Sequence, residues 1–156
     1  MKKHSILLTG VLMMSLTGCG SNQKSEDIYS FSGQRDEMRI INGVAVVDGS
    51  DGTFYGGTLE FKNDEFKNVK EYTTRFYIAD EEEEWTILNN SVTHEDSSIQ
   101  LTNQNLGKLS GQILRNNLDK QALEDFLFFE MIVKYEDGTT ESFNFPMHVE
   151  SVIQDE

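Results

Sequence analysis

A chain of 156 residues with 13 Lys and Arg against 27 Asp and Glu carries a net charge of −14 at neutral pH. That length makes one domain of ordinary size, and so acidic a surface excludes a nucleic-acid binder, whose affinity rests on neutralising phosphates with Lys and Arg. A single cysteine, Cys19, excludes an internal disulfide, so the domain must be held by packing alone.

The first residues fall into three zones. Lys2, Lys3 and His4 make a basic start, residues 6–16 form a mostly apolar run of eleven, and the small residues Thr17 and Gly18 precede Cys19. A basic n-region, a short apolar h-region and a small-residue cut site describe a secretory signal. The run is too short to span a bilayer, which takes about 20 residues of helix, and Thr9, Gly10 and Ser15 dilute it further.

Leu16-Thr17-Gly18-Cys19 resembles the lipobox of bacterial lipoproteins. That resemblance implies a diacylglycerol on the Cys19 thiol, cleavage between Gly18 and Cys19, and a mature chain that begins at Cys19. The expected organisation is then a signal at 1–18, a lipidated cysteine and linker at 19–27, and a domain at 28–156. Losing Lys2 and Lys3 with the signal leaves 11 basic against 27 acidic residues, a net charge of −16. An unpaired thiol in an exported protein calls for an explanation, and lipidation supplies one. Two acyl chains anchor stably where a single myristoyl chain does not. Residues 20–27 are polar and read as a flexible linker, with a reach of at most about 28 Å fully extended and about 16 Å as a coil. The linker looks like those of Gram-positive lipoproteins, which implies attachment to the extracytoplasmic face of the cell membrane.

From Ile28 onward the pattern is strand-like: runs rich in Val, Ile, Phe, Tyr and Thr between clusters of Gly, Asn and Asp. Strands are predicted at 28–32, 38–47, 53–61, 69–79, 84–88, 98–102, 108–114, 126–135 and 139–149. Turns are expected at 48–52, 62–64, 89–90, 103–105 and 116–117. Residues 118–125 have room for one or two helical turns, with Asp119 or Asn117 as cap. The last two strands are the most legible. Leu127, Phe129, Met131, Val133 and Tyr135 share one face, as do Phe143, Phe145, Met147 and Val149. A two-residue turn at Asp137-Gly138 would set these faces against each other's polar side. A three-residue loop at Glu136-Asp137-Gly138, with Gly138 left-handed, pairs Met131 with Phe143 and Phe129 with Phe145. Pro146 cannot donate to a ladder, so the strand should lie at an edge or bulge there.

The expected fold is therefore all-β, an antiparallel β-sandwich with at most one short helix. A short helical connection, a long apolar strand, a Tyr-Glu-Asp-Gly turn and a final edge strand resemble the end of an immunoglobulin-like sandwich. The resemblance covers the last forty residues or so, and it lacks the cysteine pair of that family.

Candidate chemistry is sparse. Asp80, Glu81, Glu82, Glu83 and Glu84 are the acids closest to a metal-ligand set, but calcium needs six to eight oxygens converging on it. Five side chains on one hairpin tip point outward and repel one another, so a solvated turn is expected. Asp48-Gly49-Ser50-Asp51-Gly52 lacks the spacing and closing glutamate of a calcium loop, and Gly56-Gly57 inside a strand pattern marks a bulge. His148 falls on a wet face and His94 in a polar stretch, with no triad or zinc spacing around either. Trp85 with Ile87, and Tyr72, Thr74, Phe76 and Ile78, fit core faces. These observations point to a non-enzymatic binding or envelope-associated module with no cofactor besides the Cys19 lipid. Its acidic surface favours a basic protein partner. The alternatives are a calcium-responsive module, or a hydrolase with a buried carboxylate pair in a deep pocket.

Overall fold

Alternation of apolar and polar residues builds two facing sheets. The computed structural model describes residues 26–62, 66–80, 83–94, 100–116 and 119–153. In order these form β1 (Asp27–Arg35), β2 (Met38–Asp48), β3 (Asp51–Tyr55), β4 (Thr58–Phe61), β5 (Val69–Ala79), β6 (Glu84–Thr93), β7 (Gln104–Asn105), β8 (Lys108–Gln112), α1 (Lys120–Phe126), β9 (Leu127–Tyr135), β10 (Thr140–Pro146) and β11 (His148–Ile153). One sheet runs β11-β1-β2-β3-β8, with β4 continuing β3 along β2 and pairing with β7; the other runs β10-β9-β5-β6. Every pairing is antiparallel. The protein is an antiparallel β-sandwich.

A chain of phenylalanines joins the two layers. Phe31 stacks on Phe54 with ring centres 4.8 Å apart, and both meet Phe76 of the opposite sheet edge-on, at 5.5 and 5.1 Å. Phe76 continues to Phe129 and Phe129 to Phe145. All five rings are buried. Burial of each such side chain is worth about 1.5–3 kcal/mol, and each ring pair adds roughly 0.5–1.5 kcal/mol. Phe31 fits only because Gly43 lies beneath it, where a Cβ would stand 2.1 Å from the ring.

The larger sheet is creased across its strands. The pairing of β1 with β2 slips between Phe31 and Gly33, and Asn42 on the facing strand is left-handed at φ 59°. Next along, β3 breaks from β4 at Gly56-Gly57, and β7 from β8 at Leu106-Gly107, with Gly57 and Gly107 at φ 78° and 79°. The two breaks are stitched together by Gly56 N–H to Gly107 O and Leu106 N–H to Gly57 O, both at 3.0 Å. A Cβ on Gly57 would come within 2.3 Å of the Ile41 carbonyl oxygen. Gly56-Gly57 thus interrupts the ladder, as its place in a strand pattern predicted.

The final hairpin has the register expected from its apolar faces. Met131 pairs with Phe143 and Phe129 with Phe145. Gly138 N–H donates to Tyr135 O, Tyr135 N–H donates to Thr139 O, and Gly138 sits at φ 87°. Pro146 ends β10 on the edge of its sheet, Met147 N–H turns back to Leu127 O at 2.8 Å, and β11 joins the edge of the other sheet. The smaller sheet has the order β10-β9-β5-β6, as one sheet of an immunoglobulin-like sandwich does. The larger sheet departs from it, because β3 and β4 lie between β2 and the strands that precede α1, where an immunoglobulin sandwich pairs them directly.

Three expectations fail locally. Asn89-Asn90 is not a turn: β6 runs on to Thr93 because Asn89 and Asn90 pair with Arg75 and Thr74. An extra residue, Ile87, sits between the pairs Phe76–Leu88 and Tyr77–Thr86, and turns both Ile87 and Leu88 inward. The strand expected at 98–102 does not form over 100–102; residues 98 and 99 lie outside the described residues. Leu101 is buried in the core with its N–H towards Phe66 O, and pairing falls instead on Gln104–Asn105. β8 stops two residues early because the N–H groups of Ile113 and Leu114 both donate to Ser50 O at 3.0 Å.

The helix forms where expected. Its Leu123 is buried. Asp119 makes no side-chain bond to the helix; it accepts from Asn116 N–H at 3.2 Å instead. Lys120 pairs with Asp27 at the start of β1, tying the helix to the strand that opens the domain.

Gly43→Ala is expected to cost about 1–3 kcal/mol by overpacking against Phe31, read as a lower urea midpoint with unchanged slope. A midpoint equal to that of the parent would show that the ring moves aside freely. Lys120→Met leaves the Asp27 carboxylate largely buried without its partner, and should cost about 3 kcal/mol. Adding Asp27→Asn should restore part of that loss, since the charge and its partner are then removed together.

Candidate functional site

A cavity opens at the end of the sandwich where β1 turns into β2. Its volume is about 560 Å³, within the range of ligand sites. Three segments distant in sequence build it: the β1–β2 turn, residues 66–68 ahead of β5, and the β9–β10 hairpin. Met38, Phe66, Tyr135 and Phe143 supply its apolar surface, with Phe66 and Phe143 edge-on at 5.4 Å. Asp36, Glu37, Glu136, Asp137 and Glu141 supply five carboxylates, against one ammonium, Lys67.

Backbone bonds hold these segments together. Glu136 N–H donates to Asn68 O at 2.9 Å, and Lys62 N–H to Glu37 O at 2.8 Å. Asp36 and Asn68 are both left-handed, at φ 48° and 58°, a conformation that Asp and Asn tolerate better than most residues. The carboxylates meet mostly neutral donors. Glu141 accepts from the Tyr135 hydroxyl at 2.8 Å, and Asp137 accepts from both the N–H and the hydroxyl of Thr139. Asp36 is paired with Arg35 at 3.2 Å, where both side chains are exposed.

Neutral donors stabilise charge without cancelling it. The hydroxyl and N–H of Thr139 hold the Asp137 carboxyl below its usual value. Burial, followed by the hydrogen bond to Glu141 and the charges of Glu141 and Asp137, raises Tyr135 well above the ordinary tyrosine value. Tyr29, at the opposite end of the core, is pushed up to about 12 by burial first and then by Asp27 and Glu124.

The acids singled out in the sequence lie at the other end of the molecule, and those described are occupied. Asp80 accepts from Glu83 N–H at 2.9 Å and faces Arg115 at 3.4 Å. Glu83 pairs with Arg115 and Glu84 with Arg75. Glu81 and Glu82 lie outside the described residues, as do Gly18 and Cys19. The carboxylates of this run thus do not simply repel one another in solvent, because two arginines draw three of them in. Asp48-Gly49-Ser50-Asp51-Gly52 is a tight hairpin with Asp48 paired to Asp51 and Gly49 at φ 68°. Its Ser50 carbonyl carries the β8–α1 connection. His148 is exposed on β11 beside Glu150 at 2.9 Å. His94 is exposed too, and its backbone N–H donates to Lys70 O. Trp85 is half-buried, with its indole N–H donating to Ile113 O at 3.1 Å. Among the described residues no three His, Cys, Asp or Glu side chains are placed to share a metal ion.

Sequence reasoning did not find the cavity. Its only visible signal was Tyr135-Glu136-Asp137-Gly138, which reads equally as a hairpin turn. Comparison with family models, with curated proteins and with solved structures finds no match to this chain.

Raised tyrosine values mean that the folded state holds these phenolic protons more tightly than the unfolded chain, whose tyrosines titrate near 10. The stability this contributes is complete below pH 10 and is lost as pH rises through the folded values. Phenolate absorbance should therefore show a late group of tyrosines ionising above pH 11 together with unfolding. Tyr135→Phe should remove one tyrosine from that group. Ionisation of all five tyrosines in one step near pH 10 would contradict the burial of Tyr29 and Tyr135.

Proposed function

We propose that this chain is a membrane lipoprotein, anchored through a diacylglycerol on Cys19 at the extracytoplasmic face, whose β-sandwich is a binding module and not an enzyme. The observation that carries the reading is one of placement. β1 leaves the linker at Asp27 beside α1 and ends at Arg35 beside the cavity. The two ends of this nine-residue strand lie eight steps apart, roughly 26 Å at strand rise. A tether attached at Asp27 thus leaves the cavity on the far side of the domain from its anchor.

The chemistry of the cavity supports binding over catalysis. Its carboxylates lie on turns at the mouth, held by a tyrosine, a threonine and an arginine. General acid–base work needs a group within hydrogen-bond reach of the reacting proton and a value tuned near the operating pH. The groups with shifted values here move the other way, a carboxylate down and a phenol up.

Cys19→Ala tests the anchor. The parent should sediment with membranes at the size of a chain beginning at Cys19, and the variant should leave that fraction or accumulate as uncut precursor. A variant that stays membrane-bound at the mature size would overturn the reading.

A further inference from the structure

We infer that the end cavity receives an extended basic segment of a partner protein, with a lysine or arginine side chain laid over Tyr135 and Phe143 and its charge between the two acidic turns. The inference rests on the reading of this domain as a binding module and adds the chemistry of what it binds.

Charge is the first argument. Asp36 and Glu37 stand on one turn, and Glu136, Asp137 and Glu141 on the hairpin across the opening. A cation entering between them meets negative charge from both sides, within the screening distance of about 8 Å at physiological salt. Lys67 at the opening, Arg35 paired with Asp36 and Lys62 on the Asp36 carbonyl oppose this, three cations against five carboxylates. An anionic ligand would meet the reverse balance.

The floor is the second argument. Met38 and Phe66 are buried against the core, and Tyr135 and Phe143 present the apolar surface that remains, from which a small hydrated cation gains nothing. A lysine or arginine stem does gain, because it covers apolar surface while its head reaches polar groups. Aromatic faces add an attraction of about 0.5–2 kcal/mol for the head.

The shape is the third argument. The cavity holds about 560 Å³ and lies half-open along the first residues of β10. β10 is the edge strand of its sheet, and an edge beside a pocket suits an extended chain, whose alternate side chains point the same way.

The test uses the chain as the cell makes it, purified in non-ionic detergent from whichever fraction holds it, and a fluorescein-labelled hexapeptide of alternating lysine and valine. Anisotropy should show saturable binding, and the matching glutamate–valine peptide should show none. Glu136→Gln, on an exposed turn, should weaken binding about threefold, and Glu136→Gln with Glu141→Gln at least tenfold, both with unchanged melting. Asp125→Asn with Glu150→Gln removes the same charge away from the cavity and should leave binding as it was. Equal weakening by the two double variants would reduce the effect to net charge and overturn the inference. So would the absence of binding at millimolar peptide. Competition by tetramethylammonium as strong as by the unlabelled peptide would also overturn it, by pointing to a small organic cation. The assay does not depend on the Cys19 lipid, so failure here leaves the anchor standing, and failure of the anchor leaves the cavity standing.

Discussion

The contact on which the two layers depend is the ring of Phe31 lying on Gly43. Phe31 belongs to the larger sheet and reaches Phe76 of the smaller one, and it can do so only because the facing strand offers no Cβ. Beside this contact Asn42 adopts a left-handed conformation and the β1–β2 ladder slips. The strain is shared outwards, to Gly57 and then Gly107, so that three neighbouring strand lines bend at the same level. Bulged positions bend a strand and increase its twist. Here the bend lets β1 and β2 follow the phenylalanine chain at one end and close over Met38 and the cavity at the other.

A chain with 27 acids and 13 bases must decide where its few cations go. Most of those with resolved partners are committed to clamps. Arg75 lies on the outer face of the smaller sheet, bound to Glu130 at 2.5 Å and to Glu84, with its guanidinium 4.3 Å from the centre of the Tyr77 ring. Arg115 gathers Asp80, Glu83 and Asp119, and Lys120 holds Asp27. Arg39 meets Glu60 on the larger sheet. At the cavity end Arg35 pairs with Asp36, the Lys62 ammonium donates to the Asp36 carbonyl and Lys67 lines the opening. The cations thus fix individual acids in place at both ends of the sandwich without removing the charge excess of the composition.

What could be read beforehand was whatever one strand pair decides alone. The β9–β10 register follows from two apolar faces and one glycine, and local turn chemistry settles it. The only sign of the crease was Asn42-Gly43, a dipeptide that favours left-handed turns, and the apolar runs on both sides of it read as one continuous strand. Asn89-Asn90 misled for the opposite reason: asparagines favour turns, but pairing with β5 and the bond from Asn90 to Leu106 O override that preference. The acid run at 80–84 was legible as charge but not as structure, since Arg115 comes from 35 residues beyond Asp80. The cavity was the least legible feature. Its walls come from three separate segments, and each reads as an ordinary turn until β1, β5 and β9 bring them to one end.

Anchor and cavity can also be considered together. If Cys19 is lipidated, a linker of at most about 28 Å keeps an acidic domain close to head groups that are themselves largely anionic. Repulsion acts over only about 8 Å at physiological salt, so it does not hold the whole domain off; it acts on whichever face comes nearest. Both ends of the domain carry acidic charge: Glu124 and Asp125 stand on α1 near Asp27, as Asp36 and Glu136 stand at the cavity. The placement of Asp27 and the cavity at opposite ends of β1 is then what would keep the cavity away from the membrane, with no contact between domain and lipid required.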